Sequence, residues 1–203
     1  MRVANSEHSA QAWIIEQIAP DFRLLDAWAL PVQGRREDFA GFLQIGTSFD
    51  PARSNSTPTR ALFAVRARLG EWFKWDDAAN ARPIPGCTET SLSARLPAHL
   101  RGSADTPTGS PSAQGFQPLY RTDTEYAAEL SNATVHGVLQ LTWVEHPDHS
   151  YRGRLAVYVK PRGILGTAYL QLIAPFRHLV VYPALTRQLG RAWSARAVPQ
   201  GDG

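Results

Sequence analysis

The sequence predicts an α+β fold in which a curved antiparallel sheet is crossed by a long, kinked C-terminal helix. Three observations carry that reading. Residues 116–122, 125–131, 134–145 and 151–160 are strand-like runs joined by short polar turns, as in an antiparallel meander. Residues 163–193, GILGTAYLQLIAPFRHLVVYPALTRQLGRAW, then form one mostly apolar segment with helical spacing and two internal prolines. Finally, the last two strands alternate. Val135, Leu139, Leu141 and Trp143 oppose His136, Gln140 and Thr142, and Leu155, Val157 and Val159 oppose Arg152, Arg154, Tyr158 and Lys160. One apolar and one polar face imply a sheet covered on a single side, and a helix over such a sheet can enclose a cavity.

The elements follow in chain order. Residues 10–18 read as a short helix, with Ser9 as N-cap and Pro20 as stop. Residues 22–30 read as the first strand, with Phe22, Leu24, Trp28 and Leu30 on one side and Asp26 the exception among them. Pro31 to Gly34 suggests a turn. Two shorter helices come next. The first starts with Glu37 and Asp38, where acids favour the helix dipole, and buries Phe39, Phe42 and Leu43. The second opens on Thr57-Pro58 and places Leu62, Val65, Leu69 and Trp72 on one face to about residue 75. A strand is expected within 88–96. Residues 101–115, rich in Ser, Thr, Pro and Gly, are expected to be a mobile loop.

In the closing helix Leu165, Tyr169, Leu172, Phe176 and Val180 share helical spacing toward the sheet, continued by Leu185, Leu189 and Trp193. Pro175 and Pro183 each remove an N–H from the ladder, so a kink is expected, or a break with Pro175 starting a second piece. Residues 1–193 are thus read as one domain and 194–203 as a disordered tail.

Composition excludes several classes. With 203 residues, 43% hydrophobic and six tryptophans, the chain is long and apolar enough for a sizeable core. The formal charge is only +3 and no basic block occurs, so no nucleic-acid footprint is present. The single cysteine, Cys87, can form neither an intramolecular disulfide nor a cysteine-based zinc site. A reduced, cytoplasmic setting suits it, and the first residues show no secretory pattern. Arg177 and His178 interrupt the apolar C-terminal segment, arguing against an integral membrane span. His146 and His149 fall on a hairpin turn, where two ligands make a poor metal site.

Three blocks resemble a known bacterial family. They are TRALFAVRARLGEWFKWDD (residues 59–77), PLYRTDTEYAAELSNATVHGVLQLTWV (118–144) and YRGRLAVYVKPRGILGTAYLQLIAPFRHLVVYPALTRQLGRAW (151–193), with DFRLLDAWALP (21–31) adding to the match. The family is domain of unknown function 2867, itself similar to the helix-grip superfamily of START and birch-pollen-allergen type proteins. The resemblance implies a helix-grip fold and a hydrophobic ligand cavity between sheet and long helix. It brings no catalytic residues and no cofactor. Some relatives carry a nucleotide-binding dehydrogenase domain, but this chain lacks the Gly-x-Gly-x-x-Gly fingerprint.

Candidate site residues are weighed on that basis. His136, with Gln140, Thr142 and Arg154, fits a solvated sheet face; a cavity on that side would instead make His136 a general base. Arg177 and His178 fit the outer flank of the helix or a helix end near Pro175. If one pointed inward, it could bind a carboxylate or carbonyl. Tyr120 and Tyr158 are the hydroxyls that could pair with Arg177 and His136, and Tyr169, Leu172 and Phe176 would line the apolar wall. The expected function is a non-catalytic module for a small hydrophobic or amphipathic ligand. A cyclase, dehydratase or hydrolase in the same cavity is one alternative. The other is a peripheral membrane or interaction role through an apolar patch including Val181, Tyr182 and Leu185. Ligand identity and oligomeric state are not encoded in any motif.

Overall fold

The computed structural model describes residues 1–47, 91–103, 116–131 and 135–196, apart from the side chains of Leu165, Tyr169 and Phe176. The helix expected over 57–75, most of the loop expected at 101–115 and the tail from 197 lie outside the described residues. Six strands form one sheet: β1 (Arg2–Val3), β2 (Arg23–Gly34), β3 (Gln117–Arg121), β4 (Glu125–Ser131), β5 (Val135–Glu145) and β6 (Tyr151–Pro161). Their order is β1-β2-β6-β5-β4-β3, and every pair is antiparallel. β3 to β6 are the expected meander. β2 then pairs with β6, so the first long strand meets the last.

The front face carries the C-terminal helix. Leu30, Val32, Tyr126, Ala128, Leu141, Trp143 and Leu155 pack there with α3 (Phe39–Thr47), which begins after a single turn, Arg36–Asp38. The Asp38 carboxylate accepts the Arg35 N–H and fixes that start. Phe42 stacks on Trp143 at 5.3 Å. Gly153, paired with Trp143 across the ladder, makes this possible, because a Cβ there would meet the Phe42 ring at 3.0 Å.

The C-terminal segment is broken as the prolines require. α4 (Gly163–Leu172) ends at Ile173, and a single turn (Ala174–Phe176) follows with Pro175 in its first positions. Residues Arg177–Val181 form a π turn, and α5 (Tyr182–Arg196) completes the chain. Pro183 cannot donate to Leu179, so the ladder widens immediately before it. α5 buries Tyr182, Ala184 and Leu189 against β2 and α3, and the Trp193 indole N–H donates to the Gln33 carbonyl. α4 holds the sheet less closely. Leu172, expected to face the strands, is 80% exposed.

The reverse face corrects the expectation of a solvated side. It is covered by the N-terminal segment, with α1 (Asn5–Ser9) and α2 (Ile14–Ile18), and by two 3-10 turns, Leu92–Arg95 and Ala98–Leu100. The first of those turns stands where a strand was expected within 88–96, of which residues 88–90 lie outside the described residues. Trp13, Ile15, Ile18, Leu92, Leu96 and Leu100 bury against Ala127, Val138 and Ala156. His136, Gln140, Thr142 and Arg154 are buried too, and two glutamates of β4 on the same face bind the backbone ends laid over them. Glu125 accepts the N–H groups of Ile14 and Ile15, the first two of α2, together with Tyr120 Oη–H and Gln140 Nε2–H. Four residues along the same strand, Glu129 accepts the Leu92 N–H, the Ser91 hydroxyl and a bond with His136 Nε2. Each carboxylate satisfies orphan donors at the start of a helical turn, which no local side chain does for α2. Ser9, expected as a cap, donates instead to Glu16.

Two further expectations fail on β2. The strand runs through Pro31 to Gly34 instead of turning there, with an irregularity between Ala29 and Gln33. Phe22 and Leu24 do not share a face with Trp28 and Leu30. Leu24 pairs with Tyr158 and Asp26 with Val157, so Leu25 is an extra residue that reverses the alternation.

Replacing Glu125 by Gln keeps the shape but turns an NH2 toward backbone donors. The variant is expected to lose about 1–3 kcal/mol in urea unfolding, with native far-UV circular dichroism. An unchanged midpoint would show that the clamp on α2 contributes nothing.

Candidate functional site

The bulge at Leu25 aims Asp26 at the front face, where the π turn of the C-terminal segment crosses β2. Asp26 is 1% exposed. Its Oδ2 accepts the Nε–H of Arg177 at 3.0 Å and the Tyr182 hydroxyl at 3.0 Å, and Arg177 Nη2 stands at 3.0 Å from the same oxygen. His178 Nε2 and Arg2 Nη2 stand 3.3 and 3.7 Å from Oδ1. Trp28, two residues along the strand, packs against Tyr182 and His178, with ring centres 4.8 and 6.1 Å apart. Burial and the charge of Asp26 push the Tyr182 hydroxyl far above the usual phenol range, so it stays a neutral donor.

Charge balance gives this cluster its chemical character. Two guanidiniums face one carboxylate before His178 is counted, so the locus has a positive surplus in a mostly apolar setting. Two buried N–H donors, Trp28 Nε1 and Arg177 Nη1, have no hydrogen-bond partner among the described residues. Asp26 Oδ1 is likewise without a hydrogen bond among them, with only the ion-pair approaches of His178 and Arg2. An acceptor oxygen placed at either donor would satisfy it. The π turn brings Arg177 and Tyr182, five residues apart, onto one side of the helix beside His178, where regular α spacing would spread Arg177 and Tyr182 by about 140°.

The residues singled out from sequence divide between the faces. Arg177 and His178 meet at Asp26, so the inward orientation is realised in place of the outer flank. Leu172 points away from the sheet. Tyr169 and Phe176 lie on the same helical segment, with side chains outside the described residues. Tyr120, His136 and Tyr158 lie on the reverse face, bonded to Glu125, Glu129 and Glu16. His136 and Tyr158 therefore do not pair with one another, and Tyr120 is across the sheet from Arg177. Sequence reading missed the roles of Arg2, Asp26, Trp28 and Tyr182. Asp26 left a signal, as the lone acid among the apolar alternation of its strand.

The reverse-face network has its own electrostatics. Burial raises the Glu129 carboxyl, and bonds from His136, Ser91 and the Leu92 N–H more than reverse this, holding it below the usual range. His8 Nε2 meets Gln140 Oε1 at 2.9 Å, and burial, aided by the charge of Arg154, keeps its imidazole below its ordinary value. No group of three or more His, Cys, Asp or Glu among the described residues is placed to hold a metal ion. A polar cleft of about 550 Å³ lies at the start of α3, lined by Arg36, Phe39, Arg121 and Asp123 among others. It shares no residue with the Asp26 cluster.

A family model described as Protein of unknown function (DUF2867) matches residues 18–184. No curated protein matches the chain, and no solved structure does.

His8 generates a prediction with a definite sign. Its folded pKa is lowered, so its contribution to stability is present above the ordinary imidazole value and is lost as pH falls below it. The melting temperature is expected to drop as pH falls through about 6.5. A His8→Gln variant should show a flatter profile in that window, and parallel profiles would refute the assignment.

Proposed function

We propose that this chain, which belongs to the DUF2867 family, is a non-catalytic module that holds a small amphipathic molecule between the sheet and the C-terminal helix. The polar end of the ligand binds at Arg177, His178 and Trp28, beside Asp26 and Tyr182. One observation carries the reading: a buried carboxylate is over-matched by cations, and two shielded N–H donors nearby are unspent. Buried donors without acceptors are costly, and a bound carbonyl or carboxylate removes that cost. Trp28 and the π turn supply apolar surface for the rest of the molecule. Entry is by way of His178, at 29% the most exposed of the site's helix side chains.

The connectivity supports a helix-grip arrangement for this purpose. β2 precedes α3, a meander follows, the last strand returns to pair with β2, and the broken helix then lies over the front face.

Decanoate, with decanol as the uncharged control, is a suitable probe, read by tryptophan fluorescence and calorimetry. Decanoate is expected to bind more tightly than decanol. Arg177→Gln combined with Asp26→Asn removes the cation without stranding a buried charge, and should weaken decanoate binding about tenfold or more. Absence of binding, or an affinity indifferent to that double variant, would overturn the proposal.

A further inference from the structure

Three of the four large hydrophobic side chains that are most exposed among the described residues lie on one short stretch: Ile164 at 87%, Leu172 at 80% and Leu179 at 77%. Scattered exposed hydrophobics are ordinary, whereas a cluster on one element marks a surface that meets something apolar. Ala168 and Pro175 are exposed between them, so an apolar line runs along the outer side of α4 and the turns after it, flanked by the exposed Thr167 and Gln171. The patch differs from the one expected from sequence, since Tyr182 is buried and Val181 and Leu185 are half-buried.

The same line continues with a change of character. Beyond Leu179, spacing of four residues leads through Pro183 to Arg187 and Arg191, both exposed. Between Asp148 and Asp202 the sequence contains no aspartate or glutamate, while Arg162, Arg177, Arg187, Arg191 and Arg196 recur. The outer side of the C-terminal segment thus offers an apolar half and a basic half with no acidic group to oppose an anionic surface. No helix among the described residues is long and apolar enough to cross a membrane.

We propose that the outer side of α4 and the π turn is a docking surface for an anionic lipid bilayer, lying in the interface with Ile164, Leu172 and Leu179 among the acyl chains. Arg187 and Arg191 then reach the headgroup phosphates. An apolar stripe supplies depth and the arginines supply selectivity for negative charge, the combination that holds a helix in the interfacial plane. The charge pattern favours this occupant over a second copy of the chain, because a copy would set these arginines against arginines or against the apolar half, with no acidic group on the segment to meet them. This surface is opposite to the side that α5 and the π turn present to Asp26, so the inference is independent of the ligand site.

Sedimentation with vesicles tests it, using the full chain. Vesicles of equal parts phosphatidylglycerol and phosphatidylcholine are expected to bind about tenfold or more tightly than phosphatidylcholine alone. Leu172→Glu with Leu179→Glu, at sites too exposed to matter for folding, should abolish binding, and Arg187→Gln with Arg191→Gln should erase the preference for phosphatidylglycerol. No binding to the mixed vesicles would overturn the proposal. So would binding that survives the glutamate pair, or a dimer in solution that the glutamate pair dissociates while vesicles are ignored.

Discussion

Two glutamates on one strand determine how this sheet is covered. Glu125 and Glu129 project from the same face of β4, and each places a buried carboxylate at the N-terminal end of a helical turn from a distant part of the chain. A carboxylate taken out of water is costly unless several donors replace its solvation. Here backbone N–H groups, Tyr120, Gln140, Ser91 and His136 do so. The short α2 has no side-chain cap of its own, and at five residues it would be unstable alone. Sheet and overlay therefore satisfy one another, and the polar residues of β4 to β6 become interior.

The front face is covered differently. The C-terminal helix is held there by Tyr182, Leu189 and Trp193, while its N-terminal half stands further from the strands. Between those halves, the π turn and the bulge at Leu25 are paired irregularities. One re-aims an acid into an apolar face and the other gathers Arg177, His178 and Tyr182 around it. Local irregularities of this kind recur where side chains are positioned for binding.

Much of the architecture was legible in the sequence. The meander was readable because short polar turns separate the strand runs and β5 and β6 alternate, and the helix break was readable because proline lacks an N–H. Arg177 and His178 stood out as polar residues in an apolar run. The rest was hidden for identifiable reasons. Alternation reports which residues share a face, but not whether the polar face is wet or is covered by another segment, so Gln140, Thr142 and Arg154, buried under the N-terminal segment, looked like surface. The first strand was misphased because a bulge leaves no composition signature at Leu25. Helical spacing placed Leu172 toward the sheet, whereas α4 buries the stripe of Gly166 and Leu170 and turns Leu172 to solvent. Asp26 was visible as an exception but had no partner within reach in the sequence.

The most direct measurement is amide hydrogen exchange at Ile14, Ile15 and Leu92, the donors that the two glutamates accept. If the carboxylates clamp the overlay to the sheet, these amides exchange only through large-scale unfolding and match the protection of central β5 residues such as Leu141. Exchange as rapid as that of the exposed turn near His149 would show that the reverse face is not held in this way.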